Sequence, residues 1–575
     1  MSVDKVEPVR RNLEQLENNR YDVLVIGSGI HGACIAWDAA LRGLSVALVE
    51  KGDFGHATSA NTLKIIHGGL RYLQDANLGL VRRMIRERAT WMRIAPHLVH
   101  PLPCLMPTYS RFGRSKEIMA AALTLNDVIS HDRNRHMEPQ KHLANGRIIS
   151  RSECLRQLPG VAAAGITGGA LWHDARMHSS ERLLLALLLS ATKAGAEVAN
   201  YVEVTGLLGD DTRVTGVRAR DLLDDQELEI RAELVINSAG PWVDSVLRSL
   251  KSSMASRFRM SIALNLVTRQ IHPTHAVAIP SRYMRRDKQG NLTPRTRLLF
   301  VVPWCGYSMV GTSHLPYDGP PGNYQVTEET IEGLIGEINT AYPGAALTRT
   351  DVHQVQWGFL PAAKNDFQTE TVKLVRQAQI HDHAREDSTR GLISVVGVKY
   401  TTARHVAQKV VDMAMTKLGR DTSACRTQTM PVYGGRIDGF DGFLAQAIAG
   451  RPAGVDPEIM QHLVYSYGTE HTQILKYLDE EPAWGHTVSA ASLVLEAEVI
   501  HAVREEMAQT LADVVRRRTD LGAASLPDET SLRRCADLMA AELGWDQARV
   551  ARELDELGAA YTPAMAPTRD KRGTD

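Results

Sequence analysis

Between residues 21 and 50 the hydrophobic pattern changes period twice. An apolar run at Val23–Ile26 gives way to Ala33, Ala36, Ala39 and Ala40 at helical spacing. Gly43 ends that stretch, and a second apolar run covers Val46–Val49. The pattern predicts strand, helix, strand. Residues 51–160 predict loop and helix, including a basic helix at Arg82–Arg93. Strands are expected at 201–208 and 229–237. They follow an apolar helix around Leu183–Leu189, which Ser179, Ser180 and Glu181 supply with an N-cap and an acidic first turn. Residues 261–320 are strand-rich, with runs at 262–268, 297–304 and 307–313. A helix at 327–341, a strand at 392–397 and a helix at 401–419 follow. Beyond 425 strand signals stop and helical periodicity takes over. It is clearest at 493–518, where acidic residues lead and arginines end the segment, as the helix dipole favours.

These elements predict an α/β fold: a Rossmann-like dinucleotide-binding domain with an interleaved β-rich substrate domain, then a C-terminal all-helical domain. The expected limits are an N-terminal extension at 1–20, the α/β unit at 21–425 and the helical domain at 426–565. A disordered tail is expected at 566–575. The substrate part is expected mainly at 90–165 and 261–390.

Composition narrows the function classes. With 44% hydrophobic residues the chain can build a large core. A formal net charge of zero and a pI near 7.4 argue against a nucleic-acid binder. Six scattered cysteines, none in a CxxC pair, predict structural thiols in a reduced, intracellular protein and no metal site. The N-terminus lacks an apolar secretory core, and the longest aliphatic run, Leu183–Leu189, falls far short of the ~20 residues a spanning helix needs. The expected location is cytoplasmic.

The chemistry starts at Gly27-Ser28-Gly29-Ile30-His31-Gly32, a GxGxxG turn between strand and helix, with Glu50 closing the second strand. Gly27 permits the tight turn, and Gly29 lets backbone approach a pyrophosphate at the helix N-terminus. Gly32 allows close helix–strand packing, and Glu50 can accept hydrogen bonds from ribose hydroxyls. An acid there disfavours NADP, but the motif does not separate FAD from NAD. Later segments favour FAD. A long Gly/Ser/Thr loop follows Glu50, and strand–turn segments at 234–244 and 392–404 suit a large cofactor. The second could aim a helix N-terminus and Lys399 at the flavin pyrimidine.

Seven segments together resemble the FAD-dependent glycerol-3-phosphate dehydrogenases: KIIHGGLRYLQ (64–74), APHLVHPLP (95–103), GGALWHDAR (168–176), NSAGPW (237–242), FVVPW (300–304), the VGTS and YDG pair (310–319), and VGVKYTTAR (396–404). YGTEHTQIL (467–475) and a helix at 496–519 resemble the family's C-terminal domain. The resemblance spans residues 20–545. It implies oxidation of sn-glycerol 3-phosphate, electrons passed through FAD to a quinone, and peripheral contact with the inner face of a membrane. A homodimer is a further expectation. The resemblance places His67, Arg71, Tyr72 and Lys399 around the substrate; the residues themselves offer His67 or His314 as base. Its implied FAD contacts are the GxGxxG residues, Glu50, Lys51, Thr58, Ser59, Lys64, His67, Gly68, Gly69 and Val204, then Ala239, Gly240, Trp242, Gly397, Lys399, Tyr400 and Thr401. The alternative for His67 is a buried histidine ordering its loop, and for Arg71 a salt bridge within the domain.

The departures concentrate at the substrate end. The family writes G-[LV]-R-P where this chain has Gly358-Phe359-Leu360-Pro361, and K-G-S-H where it has Ile262-Ala263-Leu264-Asn265. G-T-T-D becomes Gly311-Thr312-Ser313-His314. A glycine becomes Val398, and R-S-S becomes Asn61-Thr62-Leu63. Losing one charge-assisted phosphate contact costs about 1.5–3 kcal/mol, roughly one to two decades of affinity. Three readings therefore stand: a dehydrogenase of glycerol 3-phosphate or a close phospho-polyol, an FAD enzyme acting on a hydroxy acid or amine, and a non-catalytic flavin scaffold. Arg82, Arg83, Arg86, Arg88 and Arg93 with Trp91 and Met92, then Arg111, Phe112, Arg114 and Lys116, suit either a basic amphipathic surface for anionic lipid or a solvated helix face.

Overall fold

The computed structural model describes residues 11–110, 115–250, 258–287, 291–421 and 423–561. The expected tail, the first ten residues, and Arg111, Phe112 and Arg114 lie outside them.

The apolar runs at the start of the chain become the middle of a parallel sheet. Strand Arg20–Ile26 pairs with Val46–Val49 on one side and Glu227–Asn237 on the other. Glu197–Ala199 extends one edge and Leu392–Val396 the other. Val23, Leu24 and Val25 are fully buried, as strands covered on both faces must be. One covering layer is helical. Helix Ile30–Leu41 packs against helices Ser180–Lys193 and Ala403–Lys417, and its alanines permit the close approach. Ser179 caps the apolar helix by accepting from the Arg182 amide, as the sequence indicates.

The parallel strands all end at one rim. Gly27, Glu50, Ser238 and Gly397 each follow the last residue of a strand there. Ligands of such sheets bind outside the carboxyl ends of the strands.

A second, largely antiparallel sheet stands beside this rim. It runs from Thr371–Leu374 through Val352–Asp366, Met260–Arg269 and Tyr307–Pro316. It continues through Leu292–Trp304, Ala276–Arg286, Val99–Tyr109 and Ile166–Met177 to Ile65–Ile66. It draws on more of the chain than the expected 90–165 and 261–390. The expectation of only loop and helix over 51–160 is wrong, since Val99–Tyr109 is an eleven-residue strand. Conversely, Gln379–Asp382 belongs to the nucleotide sheet.

Past 425 the described residues carry helices and no named strand. The long helix expected at 496–519 is broken. Glu496–Glu505 stops, Met507 turns back at a φ of 55°, and Leu511–Asp513 leads into a π-helical turn at Val514–Arg518.

The expected membrane surface is also corrected. In helix Leu78–Ile94, Trp91 and Met92 are core residues and Arg88 is buried. Arg82 is engaged by Asp132, and Arg93 donates to the Gln428 carbonyl. Among the described residues no helix is long and apolar enough to cross a membrane.

Candidate functional site

The rim opens into three cavities that share walls. The nucleotide cavity, about 180 Å³, is lined by Gly27, Gly29, Glu50, Lys51, Val204 and Trp242. A second, about 150 Å³, lies between the start of helix Ile30–Leu41 and Gly397–Tyr400. The third, about 920 Å³, reaches the second sheet and contains His67, Arg71, Tyr72, His314 and Thr401. Thr58 borders all three, so they form one trail from Glu50 to His67.

The glycines make the first part of the trail. Gly27 has a φ of +94°, and a Cβ there would stand 2.7 Å from the Ser238 carbonyl oxygen. A Cβ on Gly32 would stand 1.9 Å from the Gly27 carbonyl oxygen, so only glycine lets the helix lie on the strand. Glu50 is buried beside the cavity. One carboxylate oxygen accepts from the Ser28 amide at 2.8 Å and the Ser28 hydroxyl at 3.1 Å, and the other accepts from the Gly52 amide at 3.1 Å. Ser28 therefore orients the acid instead of lining the trail. Ser59 accepts from the Ile30 amide at 3.0 Å, and Lys51 lies 3.7 Å over the Trp242 ring. Ala239 and Gly240 complete this wall. The lining fits a dinucleotide: an acid at the ribose end, an aromatic wall, and the start of a helix reaching the cavities at Gly29.

In the middle cavity the His31 ring fills the space a Cβ on Gly397 would need, 2.2 Å away. Burial pushes its pKa down to about 4, so it is neutral, and its Nε2 has no partner among the described residues.

The large cavity holds the polar groups expected at a substrate. His67 lies on the turn after Ile65–Ile66. Its amide donates to the Thr401 hydroxyl at 3.1 Å, while the Thr401 carbonyl accepts from Trp91 at 3.0 Å. Its Nδ1 is 3.6 Å from Asp174 Oδ2. Asp174 is buried and accepts from the Gly68 amide at 2.5 Å and Arg88 at 2.7 Å. Burial opposes its ionisation, but His67 and Arg88 outweigh burial and hold the carboxyl well below its usual range. Gly68 has no room for a side chain between Arg88 and Asp174, and Gly69 borders the cavity in the left-handed region.

Arg71 makes no ion pair among the described residues. The Lys399 ammonium donates to the Arg376 carbonyl and sits 5.2 Å from the Tyr72 ring centre. Burial, then the charges of Arg71 and Arg376, bring its pKa down to about 8. Burial, Arg297 and Arg71 press His314 down to about 4. Tyr400 donates to the Ser180 carbonyl at 3.0 Å.

Two expectations change. Lys64 lines none of these cavities. It is fully buried, 2.6 Å from Glu181 and 2.7 Å from the Ser180 hydroxyl, and so forms an internal ion pair. Ile262 faces the core, because strand alternation turns Ala263 and Asn265 toward the cavity instead. Asn265 accepts from the Thr312 hydroxyl at 2.8 Å, and Leu360 borders the same wall. The residue that sequence reasoning missed is Asp174. The same alternation in GGALWHDAR puts Trp172 and Asp174 on one face, which is the available signal.

Among the described residues no group of three or more His, Cys, Asp or Glu is placed to hold a metal ion. The described cysteines are free thiols.

Comparison with known proteins places this geometry. The FAD dependent oxidoreductase family matches residues 22–410, and the C-terminal domain of alpha-glycerophosphate oxidase matches 425–550. A glycerol-3-phosphate dehydrogenase of Synechocystis is 34% identical over 524 residues, covering 88% of this chain and 90% of that protein. The mitochondrial glycerol-3-phosphate dehydrogenase of Homo sapiens is 30% identical over 96% of this chain and 75% of its own length. The crystal structure of the glycerol-3-phosphate dehydrogenase from Bacillus halodurans complexed with FAD superposes with a TM-score of 0.74 at 26% identity, covering 96% and 97% of the two chains. The chain is an FAD-dependent oxidoreductase and belongs to the glycerol-3-phosphate dehydrogenase family.

Proposed function

We propose that the protein oxidises an anionic secondary alcohol, glycerol 3-phosphate or a close phospho-polyol, to the ketone. One observation carries this. At the end of the nucleotide trail a single cavity brings together His67, backed by Asp174, and the cations Arg71 and Lys399. Bound FAD supplies the hydride acceptor.

The protein's own groups do the rest. Asp174 beside Nδ1 favours the tautomer with the proton there, leaving His67 Nε2 to take the hydroxyl proton. As the hydrogen on the carbinol carbon leaves with the bonding electron pair, the hydroxyl proton passes to His67 Nε2 and the carbonyl forms. The imidazolium then stands beside an ionised carboxylate. Arg71 suits phosphate oxygens because its planar fork donates twice, and Lys399 adds a point charge. His314, neutral at pH 7, suits a hydrogen bond to a substrate hydroxyl better than the role of base. For the acceptor we propose a quinone. Ile118 and Leu125, exposed at the mouth of the cavity on helix Lys116–Ile129, support an apolar partner and a peripheral membrane contact.

Leu360 and Asn265 favour a second reading, a hydroxy acid or amine whose carboxylate meets Arg71. Anaerobic mixing separates the readings. Bleaching of the flavin band by glycerol 3-phosphate supports the first, and bleaching only by hydroxy acids or amines supports the second. No bleaching by any donor leaves a non-catalytic flavin scaffold.

A further inference from the structure

The loop that follows Glu50 has two faces. One lines the nucleotide cavity through Glu50, Lys51, Gly55, His56 and Thr58. The other carries Asp53, whose side chain is fully buried and points into the C-terminal helical region.

Asp53 receives an unusual number of donors. Arg518 grips both oxygens, at 2.5 and 2.7 Å, Arg517 donates through Nε, and Asn200 donates at 3.1 Å. The partners are themselves fixed. Arg518 also donates to the Glu506 carbonyl at 3.0 and 2.9 Å, and Asn200 to the Met507 carbonyl at 2.9 Å. Arg517 reaches Asp513 at 2.6 Å, and Asp513 accepts from Tyr201 at 2.7 Å. Tyr201 returns to the loop through its amide, which donates to the Gly52 carbonyl at 3.1 Å. On the cavity side the Gly55 amide donates to the Ser28 hydroxyl at 3.3 Å, and Ser28 holds Glu50. A continuous bonded path therefore runs from Arg517 and Arg518 to the GxGxxG turn. The break in the helix at Met507–Thr510 is what turns these arginines inward.

We propose that Asp53, clamped by Arg517 and Arg518, is a positioning residue for the cofactor, so that the C-terminal helical domain sets how tightly FAD is held. Burial alone would disfavour the Asp53 carboxylate, and the two guanidiniums outweigh it, so the clamp stays charged across the physiological range. The proposal rests on FAD occupying the trail, not on the identity of the substrate.

A separate contact supplies the control. Glu138 accepts from the Gly439 and Phe440 amides, both at 2.8 Å, joining the α/β part to the helical region without touching Asp53, Arg517 or Arg518. The experiment uses full-length holoenzyme and the variants Arg518→Lys, Asp53→Asn and Glu138→Ala. FAD release after dilution is followed by flavin fluorescence, and the thermal midpoint is measured on the same samples. Arg518→Lys keeps the charge and loses the fork, which protects folding if Asp53→Asn fails to accumulate. The expected result is FAD release at least tenfold faster in Arg518→Lys and Asp53→Asn. Glu138→Ala is expected to lower the midpoint yet release FAD at the wild-type rate. The visible circular dichroism of the bound flavin should change in the clamp variants alone. Wild-type release in Arg518→Lys, or equal acceleration in Glu138→Ala, overturns the proposal and leaves the network as domain glue.

Discussion

Asp174→Asn tests the proposed base directly. The variant keeps the size of the side chain and one acceptor oxygen, which the Gly68 amide and Arg88 will hold, since both now donate to Oδ1. The amide nitrogen then faces His67. Two consequences follow. The imidazolium formed on proton transfer loses a carboxylate 3.6 Å away. At that distance the attraction is about 1.2 kcal/mol in a water-like medium and about 4.6 kcal/mol at an effective dielectric constant of 20. The His67 side chain is 39% exposed, so the lower half of that range applies. A loss of about 1–2.5 kcal/mol slows proton transfer by about 5- to 70-fold. The tautomer also reverses, because an N–H of asparagine repels the Nδ1 proton and drives it to Nε2, where the lone pair is needed. That adds to the loss, so the electrostatic figure is a lower bound. Stopped-flow flavin reduction under anaerobic conditions measures the rate. The KM should stay near wild type, since Asp174 does not touch the anion-binding cations. A folded, FAD-loaded variant reducing its flavin within twofold of wild type would refute the reasoning.

Four further outcomes are expected. Lys399 is charged below pH 8, so the KM for an anionic substrate should climb as pH rises past about 8. Its folded pKa lies below the ordinary 10.5, so the unfolded chain binds more protons between those values. Substrate-free wild type should therefore gain stability across that window relative to Lys399→Met, read by denaturation at pH 7.5 and 9.5. Lys64→Met strands Glu181 as a buried charge and should cost about 3–5 kcal/mol by thermal or chemical unfolding, with the flavin spectrum unchanged. Gly32→Ala forces a methyl to within 1.9 Å of the Gly27 carbonyl oxygen, so the helix must leave the strand and the purified protein should be colourless.

What the sequence disclosed depended on how far each cause reaches along the chain. The GxGxxG unit is local. Its strands, turn and helix lie within thirty residues, and each glycine answers a steric demand of its neighbours. The strand Val99–Tyr109 was hidden by Pro101, Pro103 and Pro107, which argue against a strand. The even spacing of these prolines puts the missing N–H groups on one edge, while the strand pairs along its length with Ile166–Met177 on the other. Ile262 and Asn265 were grouped as one lost charged motif, yet alternation sends Ile262 into the core and leaves Asn265 at the cavity. Asp174 could not be weighted from sequence, because the amide and guanidinium that keep it ionised come from Gly68 and Arg88 in other elements. The arginines at 516–518 show the same limit more sharply. A helix dipole explains a basic C-terminus well enough that nothing local asks for another cause. For Arg517 and Arg518 the partner is Asp53, more than 460 residues away, and meeting it required breaking the helix whose dipole had accounted for them. A local rule that suffices for a charge therefore says nothing about where that charge ends. In this chain the interactions tying the cofactor loop to the helical domain are of that long-range kind, so the fold had to be seen before they could be argued.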